Sequence, residues 1–125
     1  MEKIDKLQRE LKKLATIEGI VGSAIIARNG LIIAEELPEG VDERRVGAMA
    51  ATLVASIETL ASTIGKGAPK RVEAELERSG IIVSRLGHRA LLLAILAPNA
   101  NLELINSKLE LTIKELNELM LRGAK

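Results

Sequence analysis

The stretch DERRVGAMAATLVASIETLASTIG, from Asp42 to Gly65, constrains the rest of the chain. Asp42 can cap a helix, and Glu43 falls in the first turn, where the helix dipole favours a negative charge. Gly65 is a stop signal, followed by the breakers Gly67 and Pro69. Inside those limits the only other charges are Arg44, Arg45 and Glu58. Val46, Met49, Ala50, Leu53, Ile57, Leu60, Ala61 and Ile64 recur at steps of three and four, so they are expected to share one face and to pack on the domain's own core. The opposite face carries Ala48, Ala51, Thr52, Ala55, Thr59 and Ser62, where a surface helix would carry Lys and Glu. A helix that is apolar or small nearly all round is buried on both sides. In a chain of 125 residues the second side is expected to belong to another molecule.

The flanking segments alternate between helix and strand signals. Glu2–Ile17 reads as an amphipathic helix, with Ile4, Leu7, Leu11 and Leu14 three and four apart, ending at Gly19. Ile20–Arg28 and Leu31–Glu35 are apolar runs separated by Asn29-Gly30, which predicts a hairpin closed by a type I′ turn. Leu37–Val41 is a loop by its Pro and Gly. After the Gly65–Pro69 loop, Lys70–Ser79 alternates apolar and charged residues at Val72, Ala74 and Leu76, the period of a strand. Ile81–Leu86 and Arg89–Ala97 read as further strands joined by a two-residue turn at Gly87-His88. Pro98 ends the sheet. Asn99 or Asn101 caps a last helix striped by Leu102, Ile105, Leu109, Ile113, Leu116 and Met120, with the tail Arg122–Lys125 expected to fray.

The expected fold is a single α+β domain of order α-β-β-α-β-β-β-α. Tight hairpins imply a five-stranded antiparallel sheet, with the central helix on one face and the two terminal helices on the other. The charged strand with Val72, Ala74 and Leu76 is a candidate sheet edge, and an open edge is a liability unless paired. A two-fold dimer follows as an expectation, in which the central helix and this edge meet their own copies.

The chain has no Phe, Tyr or Trp. The core must be aliphatic, and stacking of bases on aromatic rings is excluded. A net charge of +1 gives no footprint for a polyanion such as a nucleic acid. Zero cysteines exclude disulfides and thiolate chemistry. The first residues are charged, so no signal peptide is expected. The longest strongly apolar run, Ala90–Ala97, falls well short of the ~20 residues that span a bilayer, so no membrane insertion is expected and the protein is read as cytoplasmic.

No residue set assembles an enzyme. His88 stands alone in a predicted turn. Glu35 and Glu36 point to opposite faces of a strand and make no acid pair. Gly22-Ser23-Ala24 lacks the flanks of a nucleophile elbow. Gly65-Lys66-Gly67 follows a helix instead of preceding one, so it reads as a loop, not a phosphate cradle. No metal constellation and no cofactor site are indicated. Arg44 and Arg45 are either solvated first-turn residues or contacts for an acidic or phosphate-bearing partner.

The segment IEGIVGSAIIARNGLIIA, Ile17–Ala34, with its Gly-x-x-Gly, apolar strand and turn glycine, resembles the roadblock/dynein-light-chain family. The order of elements and the Ala-rich central helix match as well, although Ala27, Arg28 and Asn29 stand where members often carry an Asp. The resemblance implies a homodimer or heterodimer with paired central helices and sheets joined edge to edge, and no catalytic centre. It further implies a platform on which a Ras-like small GTPase docks. The residues assigned to dimerisation and docking are Gly47, Ala48, Ala51, Thr52, Ala55 and Thr59, flanked by Arg44, Arg45 and Glu58, with Val72, Ala74 and Leu76 on the edge. A small-ligand sensor of profilin-like or PAS-like shape, or a dimerisation module without a GTPase, are the alternatives.

Overall fold

Leucines three and four apart wind the first segment into α1, Glu2–Leu14, with acids in its first turn and Lys12 and Lys13 in its last, the arrangement its dipole favours. Leu7, Leu11 and Leu14 are buried. The helix stops short of the expected Ile17, because residues 15–19 already turn toward the sheet and Gly19 takes φ 97°. The computed structural model describes residues 2–123. The remaining elements are β1 (Ile20–Ala27), β2 (Ile32–Glu36), α2 (Glu43–Ile64), β3 (Arg71–Glu75), β4 (Gly80–Leu86), β5 (Ala90–Leu96) and α3 (Leu102–Gly123). This is the α-β-β-α-β-β-β-α order expected from sequence. Of the tail expected to fray, Arg122 and Gly123 continue α3, and residues 124 and 125 lie outside the described residues.

All strand pairs are antiparallel and run in the order β2-β1-β5-β4-β3. The hairpin β1–β2 and the meander β3–β4–β5 are joined by β1 against β5, with Ala27 opposite Ala90 and Ala24 opposite Leu93. β5 sits in the middle and is buried along almost its whole length, as its unbroken apolar run requires. β2 and β3 are the edges. The side-chain amide of Gln8 on α1 donates to the Glu35 carbonyl at 2.8 Å, so α1 covers the β2 edge. β3 forms the other edge, where the charged alternation placed it.

Side-chain alternation builds two aliphatic layers. On one face Leu7, Leu11 and Leu14 of α1 and Ile105, Leu109 and Leu116 of α3 pack on Ile25, Ile82 and Leu92. On the other, Ala50 and Val54 of α2 pack on Ala24, Ile26, Val83, Leu91 and Leu93. The terminal helices therefore share one face and the central helix takes the other.

Two local expectations need correction, and one alternative is resolved. The β1–β2 turn is not type I′, which needs positive φ at both central residues. Among the described residues Asn99 is the one non-glycine with positive φ, so Asn29 is excluded. Instead the Gly30 N–H donates to the Ala27 carbonyl at 2.8 Å, Asn29 Oδ1 accepts from the Leu31 N–H, and Gly30 alone turns left-handed, at φ 92°. The β4–β5 loop has three residues, since Leu86 pairs with Ala90, and β5 begins at Ala90, not Arg89. Of the two candidate caps Asn101 is the one used: its Oδ1 accepts from the Leu104 N–H at 3.1 Å. A fourth point concerns α2. By length and composition alone it is long and apolar enough to cross a membrane, which the Ala90–Ala97 run is not. In the fold it lies on the sheet.

Candidate functional site

α2 is capped as its sequence prescribes. Asp42 Oδ1 accepts from the Arg45 N–H at 3.2 Å, and Gly65 ends the helix at φ 67° while the Lys66 N–H reaches back to the Ala61 carbonyl. These bonds satisfy end groups that would otherwise be orphaned. They also explain Gly65-Lys66-Gly67 as a helix terminus.

The helix rests on the sheet along a narrow ridge. Only Gly47, Ala50 and Val54 are buried, recurring at steps of three and four. Gly47 sits so close to the Gly30 carbonyl that a Cβ on it would overlap that oxygen, and a Cβ on Gly30 would come 3.2 Å from the Ala48 Cα. The β1–β2 turn is thus a landing for the helix, and both glycines are needed for the approach.

This placement corrects the expected division of α2. Met49, Leu60 and Ile64 do not hold the sheet. They are 61%, 56% and 59% exposed, against 2% for Val54. Val46, Leu53, Ile57 and Ala61 are half-buried along the same side. Gly47, assigned to the partner surface, is consumed inside the fold. Ala51 is half-buried and packs against the α2-side core. The expected partner face is instead split into two flanks. One is small: Ala48, Thr52, Ala55 and Thr59, all exposed. Its hydroxyls turn inward, Thr52 onto the Ala48 carbonyl at 2.8 Å and Thr59 onto the Ala55 carbonyl at 3.1 Å. The other is apolar: Met49, Leu60 and Ile64, with Leu53 and Ile57 beneath them.

Arg44 and Arg45 are exposed at the helix start. Glu58 is not a free flanking charge. It forms an ion pair with Arg28 at the end of β1. That hydrogen bond holds the Glu58 carboxyl below the usual carboxylate range, against a smaller upward push from burial, and raises Arg28. At the helix entrance the negative charge of Glu35 raises Glu43. Glu35 and Glu36 do diverge: Glu35 meets Glu43 on the α2 side, whereas Glu36 accepts from Gln8 of α1. On the edge, Val72 and Ala74 are half-buried opposite Val83 and Ile81, and Leu76 lies just past the strand, 49% exposed. Arg71 pairs with Glu73 of its own strand at 2.9 Å.

Other candidates stay small. His88 is exposed, with Nδ1 at 3.2 Å from Arg85 Nη2. Among the described residues no three His, Cys, Asp or Glu side chains cluster in a way that could hold a metal ion. A cavity of about 510 Å³ opens between the β3–β4 turn and the β5–α3 connection, lined by Glu75, Leu76, Leu96, Pro98 and Leu102. Its walls mix carboxylates with aliphatic side chains, and Ser79 beside them spends its hydroxyl on the Leu96 carbonyl at 2.8 Å.

Comparison with known proteins agrees with this architecture. The model of the Roadblock/LC7 domain matches residues 6–97. Protein MJ0310 of Methanocaldococcus jannaschii is 35% identical over 102 residues, 82% of this chain and 86% of its own length. MglB of Myxococcus xanthus has a TM-score of 0.93 at 19% identity, over 98% of this chain and 92% of that one. The gliding protein mglB of Thermus thermophilus has a TM-score of 0.85 at 18% identity, over 95% of this chain and 91% of that one. At such identities the two structural likenesses establish the fold.

Proposed function

This chain belongs to the Roadblock/LC7 domain family, and from that premise we propose that it is a non-enzymatic, dimeric scaffold and regulator for a Ras-like small GTPase. The observation that carries the reading is the outer surface of α2. A helix from Glu43 to Ile64 buries three residues in its own fold and presents large apolar side chains on one flank and a smooth small-residue flank on the other. Exposed apolar surface on this scale belongs to an interface.

The β3 edge supports a pairing of two copies. Its charges are largely sorted along the segment, Lys70 and Arg71 at one end, Glu73, Glu75 and Glu77 toward the other, with Arg78 beyond them. Antiparallel pairing with its own copy sets each basic end against the mate's acidic end, as a two-fold interface requires. Ala48, Thr52, Ala55 and Thr59 then allow two helices to approach closely, and Met49, Leu60 and Ile64 with Arg44 and Arg45 form the platform a GTPase would dock on. Regulation follows from tighter binding of one nucleotide state, which shifts the GTPase population by the ratio of the two affinities. The GTPase itself rests on the family resemblance.

The test is binding of a Ras-like GTPase from the same genome, loaded with GDP or with a non-hydrolysable GTP analogue, measured by calorimetry. The expected result is a preference of at least about tenfold for one state, a difference of about 1.4 kcal/mol. Equal affinities would reduce the protein to a scaffold, and no binding to either would remove the GTPase.

A further inference from the structure

The net charge of +1 conceals two ends of opposite sign. Three connections emerge at one end of the sheet: β1–β2 (residues 28–31), β4–β5 (87–89) and α2–β3 (65–70). The register fixes this, since Ala27 lies opposite Ala90 and Arg71 opposite Ser84. None of the three contains an Asp or Glu. They and the strand ends beside them carry Arg28, Lys66, Lys70, Arg71, Arg85 and Arg89, of which Arg28 is paired with Glu58 and Arg71 with Glu73, and Glu110 of α3 lies near Lys70 and Arg85. The connections at the opposite end carry Glu18, Glu39, Asp42 and Glu77, with Arg78 as their one cation; the element ends beside them add Glu36, Glu43 and Glu75 together with Lys12, Lys13, Arg44 and Arg45. Net charge by itself does not record this separation.

Backbone bonds tie the three basic loops into one rim. The Arg28 N–H donates to the Arg89 carbonyl at 3.0 Å, and the Arg85 N–H to the Lys70 carbonyl at 3.4 Å. The Arg85 guanidinium also reaches the Pro69 carbonyl at 3.5 Å and His88. Lys66, Lys70 and Arg89 are exposed and take part in no ion pair among the described residues. At the β2 edge of this basic surface stands an apolar side chain, Leu31 of the β1–β2 turn, 67% exposed.

We propose that this basic rim is a peripheral docking surface for an anionic lipid bilayer, with Lys66, Lys70 and Arg89 on the headgroups and Leu31 dipping into the acyl boundary. A row of unpaired cations with a protruding aliphatic residue at one edge matches that interface, where basic residues are drawn to the negative surface and an apolar side chain is drawn below it. A nucleic acid would use the cations but give Leu31 no apolar layer to enter, and the chain has no aromatic residue to stack on bases. No spanning segment is involved. The rim adjoins α2, since Gly30 lies against Gly47 and Ala48, and Lys70 also belongs to the β3 edge; Lys66 and Arg89 are the cations whose role does not depend on the dimer.

The experiment is co-sedimentation of the full chain with vesicles of equal parts phosphatidylcholine and phosphatidylglycerol, beside vesicles of phosphatidylcholine alone, at low and physiological salt. Binding to the anionic vesicles, weakening with salt, is expected. Alanine at Lys66, Lys70 or Arg89 should each lower the partition constant about fivefold, and reversal of all three to Glu at least about a hundredfold. Leu31→Ser should weaken binding several-fold while leaving its salt dependence unchanged. The single alanine variants, checked by circular dichroism, guard against misfolding of the triple one. No preference for anionic vesicles would overturn the proposal. So would wild-type binding by Leu31→Ser with equal uptake of polyphosphate or duplex DNA, which would mark a generic polyanion surface. Pelleting without vesicles would overturn it too, as that would mean basic ends stacking on the acidic ends of other copies.

Discussion

Gly30 and Gly47 are remote in sequence and meet as a turn and a helix. Gly30 was legible as a turn residue from Asn29-Gly30, because only a glycine turns left-handed without strain. Gly47 was not legible for what it does. In the sequence it is a small residue on a helix, grouped with its small neighbours as a partner contact. In the fold its missing Cβ is what lets α2 settle on the Gly30 carbonyl. Gly47→Ala should therefore destabilise. The helix gains about 1 kcal/mol of propensity, but the clash is with backbone and overpacking costs about 1–3 kcal/mol, so a net loss of about 1 kcal/mol is expected. A fall in melting temperature of about 3–6 °C in thermal unfolding would register it. A rise would mean that the turn moves aside at no cost.

At the scale of the element, α2 was the best-read segment for existence and limits, and the least well read for direction. Asp42 and Gly65 cap it as their types demand, through local bonds that depend on neighbouring residues alone. Its faces were misassigned because nearly the whole surface is apolar or small, so periodicity has little contrast to work with. The sheet took the small ridge of Gly47, Ala50 and Val54, which allows close approach, and left Met49, Leu60 and Ile64 outside. That changes the choice of variant. Ala51→Glu would strike the protein's own core cluster and confuse unfolding with dissociation. Ala55→Glu puts the same charge on an exposed position. It should leave the fold intact and split a dimer into monomers in light scattering, because a desolvated, unpaired carboxylate is costly in a close-packed contact. An unchanged mass with Ala55→Glu would move the interface off the small flank.

At the scale of the molecule, the two sheet edges differ: Gln8 covers β2, and β3 remains with its sorted charges. Reversing the acidic end, with Glu75 and Glu77 both changed to Lys, should weaken the proposed dimer by at least about tenfold. Reversing Lys70 and Arg71 to Glu in the same chain should restore it, since each end then again faces its opposite. Sedimentation equilibrium reads both, and failure of the second pair to rescue would exclude antiparallel pairing of β3. The sequence by itself determined the elements, their order, the antiparallel sheet, the two-layer cover and the family. All but the family follow from local periodicity, capping and turn chemistry, and the family from the motif those elements carry. Only the tertiary structure decided which sides of α2 are left exposed, that Glu58 is spent on Arg28, and that a chain of net charge +1 has a basic and an acidic end. The physical reason is common to the three. Each depends on distances between residues remote in sequence, and those distances are set by strand register and by how closely a helix can approach a sheet, which no composition or period records.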